Sequence, residues 1–224
     1  MFYDPTFILL IPAMLLAMYA QFKVSSTYAK YAQVNSSKGM TGAEAARQIL
    51  DQNNMKNVDI EQTPGELTDH YDPRDQKLYL SQNVYGSRSV AAIGVAAHEA
   101  GHAIQDVKVY MPLKVRNGLV PVTNLGTTLA FPLFLIGMFA SIPIFMDLGI
   151  IFFSLAVAFS VVTLPVEFNA SKRAIAILSN GILTEQEVPM AKAVLNAAAL
   201  TYVASTAMAV LNLVRLLILR NERD

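Results

Sequence analysis

The stretch LVPVTNLGTTLAFPLFLIGMFASIPIFMDLGIIFFSLAVAFSVVTLP, residues 119–165, decides the fold class. Asp147 is the only charged residue among its 47 positions. A helix that crosses a bilayer needs about 20 apolar residues. The stretch is therefore long enough for two membrane-spanning helices, and we place the turn between them near residues 141–148.

Two further apolar runs raise the predicted number of spans to four. Residues 197–219 form the last span, where Arg215 lies close enough to the end to extend its charge to the interface. Residues 1–22 contain the first span. No basic residue precedes its apolar core, whereas Asp4 does, and this favours an uncleaved span over a signal peptide.

These spans predict a mainly α, integral membrane protein with a small α+β region. The segments between and after the spans are a polar region at 23–118, a helical segment at 166–196 and a tail at 220–224. Because residues 119–165 form a closed hairpin, the first two of these segments lie on the same side of the membrane.

Charge predicts which side this is. The two polar segments carry 14 of the 17 Lys and Arg residues, so by the positive-inside tendency they face the cytoplasm. Arg215, Arg220 and Arg223 argue for the opposite placement of the last helix.

The overall composition excludes several classes of protein. Hydrophobic residues make up 54% of the chain and charged residues 15%, which is too apolar for a typical soluble domain. The formal net charge is zero, so no basic surface for nucleic acid is expected. Cysteine is absent, so any metal must be held by carboxylates and by the three histidines, His70, His98 and His102.

The polar region begins with a short amphipathic helix. Residues 40–53 place their apolar side chains on one helical face. Thr41 and Glu44 match a capping box, in which each side chain bonds a backbone N–H of the first turn.

A small β element follows this helix. Residues 58–62 and 67–71 have extended patterns, residues 72–75 form a turn, and residues 77–81 are rich in strand formers. We expect a hairpin, with the strand at 77–81 as an exposed edge to which an extended peptide can add.

The next helix, over residues 90–106, carries the chemistry, and Ser87 or Ser89 can cap it. It contains His98-Glu99-Ala100-Gly101-His102, an H-E-x-x-H motif. The two histidines are about one turn apart, so both can bind one zinc ion. Glu99 is then placed to act as general base on a water at the metal.

The alternative interpretation of this motif is a chance match on a helix surface. Small apolar residues surround the motif within a predicted helix, as expected for a buried site. The motif also uses two of the three histidines in the chain. Both observations favour the functional interpretation.

A catalytic zinc usually takes three protein ligands and leaves a fourth position for water. The third ligand must come from His70 or from a carboxylate on the same side. Glu167 is favoured, because it follows the third span in LPVEFNASKRA (164–174) and a helix beginning there can bring it to the site helix. Its other interpretation is a solvated carboxylate at the interface.

Three blocks of the sequence, in the same order, resemble a known family. They are GELTDHYDPRDQKLYLS (65–81), SVAAIGVAAHEAGHAIQD (89–106) and PVEFNASKRA (165–174). Over nearly the whole chain, these blocks resemble the YugP-type membrane zinc metallopeptidases of bacteria. HEAGH followed by EFNAS also resembles the gluzincin pattern of the HtpX and CAAX prenyl proteases.

The resemblance implies one zinc ion per chain on His98, His102 and Glu167, with Glu99 as general base. It also implies a multi-pass protein of the bacterial inner (plasma) membrane, with a peptide or a membrane protein as substrate. The polar site residues adjoin predicted span ends, so the substrates are expected near the cytoplasmic face.

One position departs from the HtpX pattern, where an Asp four residues after the ligand Glu orients a ligand His. This chain has Ser171 there. Asp106, one turn beyond His102, can take over that role, or it is simply a polar residue near a helix end. His70 can contact the substrate or the oxyanion, or only settle a turn with Asp69 and Asp72.

Two other functions compete with the endopeptidase. A zinc-binding scaffold or assembly factor would have no need of Glu99. A transporter would place ionisable groups inside its spans, and here only Arg215 is available. No signal for a regulatory partner is present in the sequence.

Overall fold

The structure, a computed structural model, describes residues 5–222. A 3₁₀ turn over Pro5–Leu10 precedes the first α-helix. The helices are α1 (Ile11–Tyr31), α2 (Gly42–Gln52), α3 (Gln82–Tyr85), α4 (Val90–Val107), α5 (Met111–Ala140), α6 (Pro143–Ser179) and α7 (Val188–Asn221). The strands are β1 (Asp59–Thr63), β2 (His70–Asp72) and β3 (Lys77–Ser81).

Four helical segments within residues 5–222 are long and apolar enough to cross a membrane. They are Pro5–Ala32, Met111–Ala140, Pro143–Ser179 and Val188–Asn221. The protein is therefore a mainly α membrane protein with a small α+β region, and the predicted fold class is confirmed. The turn of the hairpin falls at residues 141–142, at the start of the predicted turn.

The chain forms two compact units. The first, here called the apolar unit, contains residues 5–20, 111–165 and 201–222. Its core packs Phe134, Met146 and Leu216 together. It also contains a charged pair whose side chains stay partly exposed: Arg220 Nε donates to Asp147 Oδ1 at 2.7 Å.

The second, here called the site unit, contains residues 21–110 and 166–200. Its core joins α2, the sheet, α4 and the adjoining parts of α6 and α7. Ile49, Leu78 and Ile93 are fully buried there. The H-E-x-x-H helix α4 is thus held by packing on several sides.

Helix α6 corrects one expectation, because no new helix begins after Pro165. The helix runs unbroken from Pro143 to Ser179, with Pro165 inside it. Proline removes one N–H from the helical ladder, but its φ is compatible with a helix. The residues that follow it supply a continuous buried stripe that holds the helical conformation, namely Val166, Ala170, Ala174 and Leu178.

The sheet corrects a second expectation. Strand β3, residues 77–81, is the central strand and not an exposed edge, since the strand order is β1-β3-β2. It pairs in parallel with β1 and antiparallel with β2. Its Leu78 and Leu80 are fully buried, and pairing on both sides satisfies its backbone. The predicted hairpin is confirmed as β2 and β3.

Both predicted helix starts are confirmed. At α2, Thr41 accepts from the Glu44 N–H and Glu44 bonds the Thr41 N–H, which completes the capping box. At α4, the cap is Ser89, whose hydroxyl accepts from the Ala92 N–H at 3.1 Å. Ser87 instead bonds the Ser89 hydroxyl.

Helices α4 and α6 approach very closely at Gly101. A Cβ atom added to Gly101 would lie 2.9 Å from the Ala170 carbonyl oxygen. Such a short separation allows only a hydrogen atom at this position, so glycine sets the distance between the two helices.

We expect Gly101→Ala to destabilise the protein by about 1–3 kcal/mol, the usual cost of overpacking a core. The midpoint of thermal unfolding in detergent measures this. Gly118→Ala, in α5, is the matched control because nothing lies within 4 Å of its added Cβ. It should be neutral or stabilising by up to about 1 kcal/mol, the helix-propensity difference. Equal midpoints for the two variants would contradict the close approach.

Candidate metal centre

Two helices supply the candidate ligands. His98 and His102 lie one turn apart on α4, and Glu167 lies on α6 beside the Ala170 contact. The candidate ligand atoms of the three residues all lie within 4.8 Å of one another. Among residues 5–222, this is the group of three or more His, Asp or Glu side chains that could hold a metal ion.

The distances agree with a tetrahedral metal. The Nε2 atom of His98 is 3.2 Å from Glu167 Oε2, and the Nε2 atom of His102 is 3.6 Å from the same oxygen. Ligands about 2.0–2.1 Å from zinc lie about 3.3–3.4 Å apart at tetrahedral angles. Two imidazoles and one carboxylate are also a donor set that suits zinc, so these residues fit the ion.

Glu167 is almost completely buried, with 2% of its surface exposed. A buried carboxylate is costly unless charge or hydrogen bonds compensate it. The partners of Glu167 are the two imidazoles, so this carboxylate faces the site and not solvent. The alternative of a solvated interfacial carboxylate does not describe its position.

Ser171 lies one turn after Glu167 and faces the first histidine. Its Oγ is 3.1 Å from His98 Nδ1. When Nε2 of His98 is free for a metal, Nδ1 carries the proton and donates to this hydroxyl. A neutral hydroxyl thus stands where the HtpX pattern has a carboxylate.

The second histidine is held by Gln105, a residue that the sequence analysis missed. Gln105 Oε1 is 3.0 Å from His102 Nδ1, and the Gln105 side chain is fully buried. The available signal was its spacing, because a residue three positions after His102 shares its helical face. A polar residue on that otherwise apolar face would have indicated a specific partner.

Glu99 directly follows His98 on α4 and is not one of the three candidate ligands. Burial raises the pKa of Glu99. The nearby His98 and His102 lower this pKa in part, and the charges of Glu167 and Asp69 raise it. The Glu99 carboxyl therefore holds a proton more readily than a solvated glutamate does.

The pKa of His102 is set by opposing effects. Burial lowers it, but the hydrogen bond with Glu167 and the charges of Glu99 and Glu167 raise it, and the net shift is upward. The same carboxylates that attract a proton to this imidazole would attract a metal cation.

Two of the residues singled out from the sequence lie elsewhere. Asp106 accepts a hydrogen bond from the Tyr71 hydroxyl at 3.1 Å, which joins α4 to β2. His70 is exposed, donates from Nδ1 to the Thr68 carbonyl at 2.8 Å and stacks on Tyr79 with ring centroids 4.9 Å apart. The structure gives neither residue a contact with the candidate ligands.

The fold and this arrangement define a class: a multi-pass membrane protein with an H-E-x-x-H helix and a glutamate from a later helix at the same centre. Residues 6–221 match the family described as "Putative neutral zinc metallopeptidase", and the chain belongs to that family.

A relative in Bacillus subtilis (strain 168) bears the description "Putative membrane protease YugP". It is 47% identical over 218 residues, which cover 96% of this chain and 97% of the relative. No solved structure matches the chain.

We expect Ser171→Asp to bind zinc more tightly than the wild type. A carboxylate at this position would accept from His98 Nδ1–H in a charge-assisted bond, roughly twice as strong as a neutral one, and would make the imidazole a better ligand. Competition with a chromogenic chelator measures the zinc affinity. Ser179→Asp, exposed on the same helix, is the matched control. An unchanged affinity for Ser171→Asp would show that Ser171 does not act on the ligand.

Proposed function

We propose that this protein is a zinc-dependent endopeptidase that hydrolyses peptide bonds, with Glu99 as general base. One observation carries the proposal: the separations of 3.2 and 3.6 Å between the imidazole Nε2 atoms and Glu167 Oε2, which suit a tetrahedral metal. Glu99 next to this centre supplies the group that distinguishes an enzyme from a simple metal site.

In this proposal His98, His102 and Glu167 hold the ion. A bound zinc ion polarises the substrate carbonyl and lowers the pKa of a water to about 7. Glu99 accepts a proton from the attacking water and donates it to the departing amine nitrogen. A group that accepts and then releases a proton works best with a pKa near the working pH, and burial shifts Glu99 in that direction.

Substrate binding is proposed at the free edge of β2. An extended peptide can add a strand where the sheet ends, and β2 is an edge whereas β3 is not. The Tyr71 hydroxyl of β2 bonds Asp106 on α4 at 3.1 Å, which places this strand against the helix that carries the proposed base.

Methylating a backbone nitrogen beside the scissile bond of a cleaved peptide removes one main-chain donor and should raise the KM of that peptide. An unchanged KM at every such position would exclude strand addition.

The proposed location is the bacterial plasma membrane, with the site facing the cytoplasm. The excess of Lys and Arg in the polar segments supports this orientation. Glu167 lies two residues beyond the predicted end of the third span, which favours substrates that are membrane proteins or segments near the membrane surface. Labelling of single introduced cysteines at positions 56 and 141 with an impermeant reagent tests the orientation, and labelling of position 56 from outside intact cells would reverse it.

The central experiment compares wild type, Glu99→Gln and chelator-treated protein in detergent, with casein as an unfolded substrate. Glu99→Gln should retain its zinc and lose about 10²–10⁴-fold in rate, the usual contribution of a general base. Glu44→Gln, exposed on α2, is the matched control and should cleave like the wild type.

Metal content is determined on each sample. Equal rates for wild type and Glu99→Gln would exclude Glu99 as the base. Zinc without cleavage of casein or of several membrane proteins would favour the scaffold, and a wild type that binds no zinc would overturn the proposed function.

A further inference from the structure

The Gln105 side chain is fixed in one orientation by a chain of donors and acceptors. It is fully buried, and its Nε2 donates to the Val166 carbonyl at 2.8 Å and to Asn169 Oδ1 at 3.0 Å. A carbonyl oxygen can only accept, so the amide nitrogen, and not the amide oxygen, must face Val166.

Arg173 fixes the next link. Its Nε donates to Asn169 Oδ1 at 2.7 Å, and a guanidinium has no acceptor, so the oxygen of Asn169 must face Arg173. The same oxygen also accepts a hydrogen bond from Gln105 Nε2. The Arg173 guanidinium also lies over the Tyr110 ring, 5.9 Å from its centroid, which steadies the far end of the chain.

The fixed orientation of Gln105 determines which of its atoms faces the candidate ligand His102. With its nitrogen committed to Val166 and Asn169, Gln105 presents only its oxygen to His102, 3.0 Å from Nδ1. An oxygen acceptor there requires that Nδ1 carries the proton. His102 Nε2 is then the ring nitrogen that faces Glu167 Oε2, and a metal ion bound there takes the place of any proton that Nε2 carries.

We infer that Gln105 is the positioning residue of the metal centre: it selects the Nδ1–H tautomer of His102 and directs Nε2 at the ion. The inference rests on the proposed zinc site. Its effect is on metal binding and not on a step of hydrolysis.

The two ligand histidines differ in whether their partner fixes the tautomer of the ring. Ser171, the partner of His98, has a hydroxyl that can donate as well as accept, so it permits either tautomer of that ring. Gln105 permits one tautomer of His102. His102 is therefore the preorganised ligand, and His98 is the ligand that adapts when the ion enters.

The test uses two substitutions of Gln105 in the full-length protein. Gln105→Met removes both the acceptor and the donor, whereas Gln105→Glu keeps an oxygen acceptor for His102 and removes the amide donor to Val166 and Asn169. Zinc affinity is measured by chelator competition, and the thermal midpoint of the metal-free protein reports on the fold. Gln52→Met, at an exposed position at the end of α2, controls for the effect of replacing a glutamine by methionine away from the site.

We expect zinc affinity to fall about 10–100-fold in Gln105→Met, as for other lost partners of ligand histidines. Gln105→Glu should bind zinc more tightly than Gln105→Met, although both lose the amide donor. If Gln105 only ties α4 to α6, both variants will lose zinc affinity and thermal stability to the same extent, and the inference fails. It also fails if Gln105→Met binds zinc like the wild type.

A second readout is the tautomer itself, from ¹⁵N chemical shifts of the histidine rings in metal-free protein. Nδ1 of His102 should carry a proton in the wild type, whether or not Nε2 also carries one beside Glu167, and should be partly unprotonated in Gln105→Met. A wild type in which Nδ1 of His102 is partly unprotonated would overturn the inference.

These outcomes separate the inference from the proposed function. Zinc binding without peptide hydrolysis removes the endopeptidase and leaves the role of Gln105 intact. If Gln105→Met hydrolyses peptides normally and its zinc affinity is unaltered, only the proposed role of Gln105 is excluded. If the wild type binds no zinc, both that role and the proposed function are excluded.

Discussion

The contact between α4 and α6 at Gly101 is the constraint on which the site depends. The Ala170 carbonyl oxygen lies 2.9 Å from where a Cβ of residue 101 would be, so the two helices approach too closely for a side chain at this position. Small side chains on both helices make this possible, among them Ala97 and Ala174, which are fully buried. Because of this approach, Glu167 on one helix reaches two imidazoles on the other.

Burial at this contact makes every polar group there dependent on a partner. Glu167 has the two imidazoles, and each imidazole has a neutral partner on its other nitrogen, Ser171 or Gln105. With a divalent ion, Glu167 would be the ligand that carries negative charge, and Glu99 adds the nearby charge of the proposed base. Neutral partners on the two histidines leave more of the positive charge of a bound ion for a substrate carbonyl.

Local sequence patterns predicted the elements and the hairpin of β2 and β3, but not the pairing of β1 with β3. The capping box at Thr41 and the helix start at Ser89 follow from interactions over three residues, and both are confirmed. The place of β3 was wrong because strand order depends on β1, which lies some 18 residues earlier in the chain and pairs in parallel. Helix α6 continues through Pro165 because buried packing outweighs the lost backbone bond, which the local signal of a proline does not reveal.

The sequence by itself determined four apolar spans, an α+β region and a helix with two histidines one turn apart, since each is a property of composition or of helical period. It also indicated Glu167, through its position after a span and a family resemblance. Only the tertiary structure decided that Glu167 meets both imidazoles, that Gln105 faces His102, and that His70 and Asp106 have other partners. These contacts join residues far apart in the chain or choose between neighbours on one helical face, and the packing of α4 against α6 makes that choice.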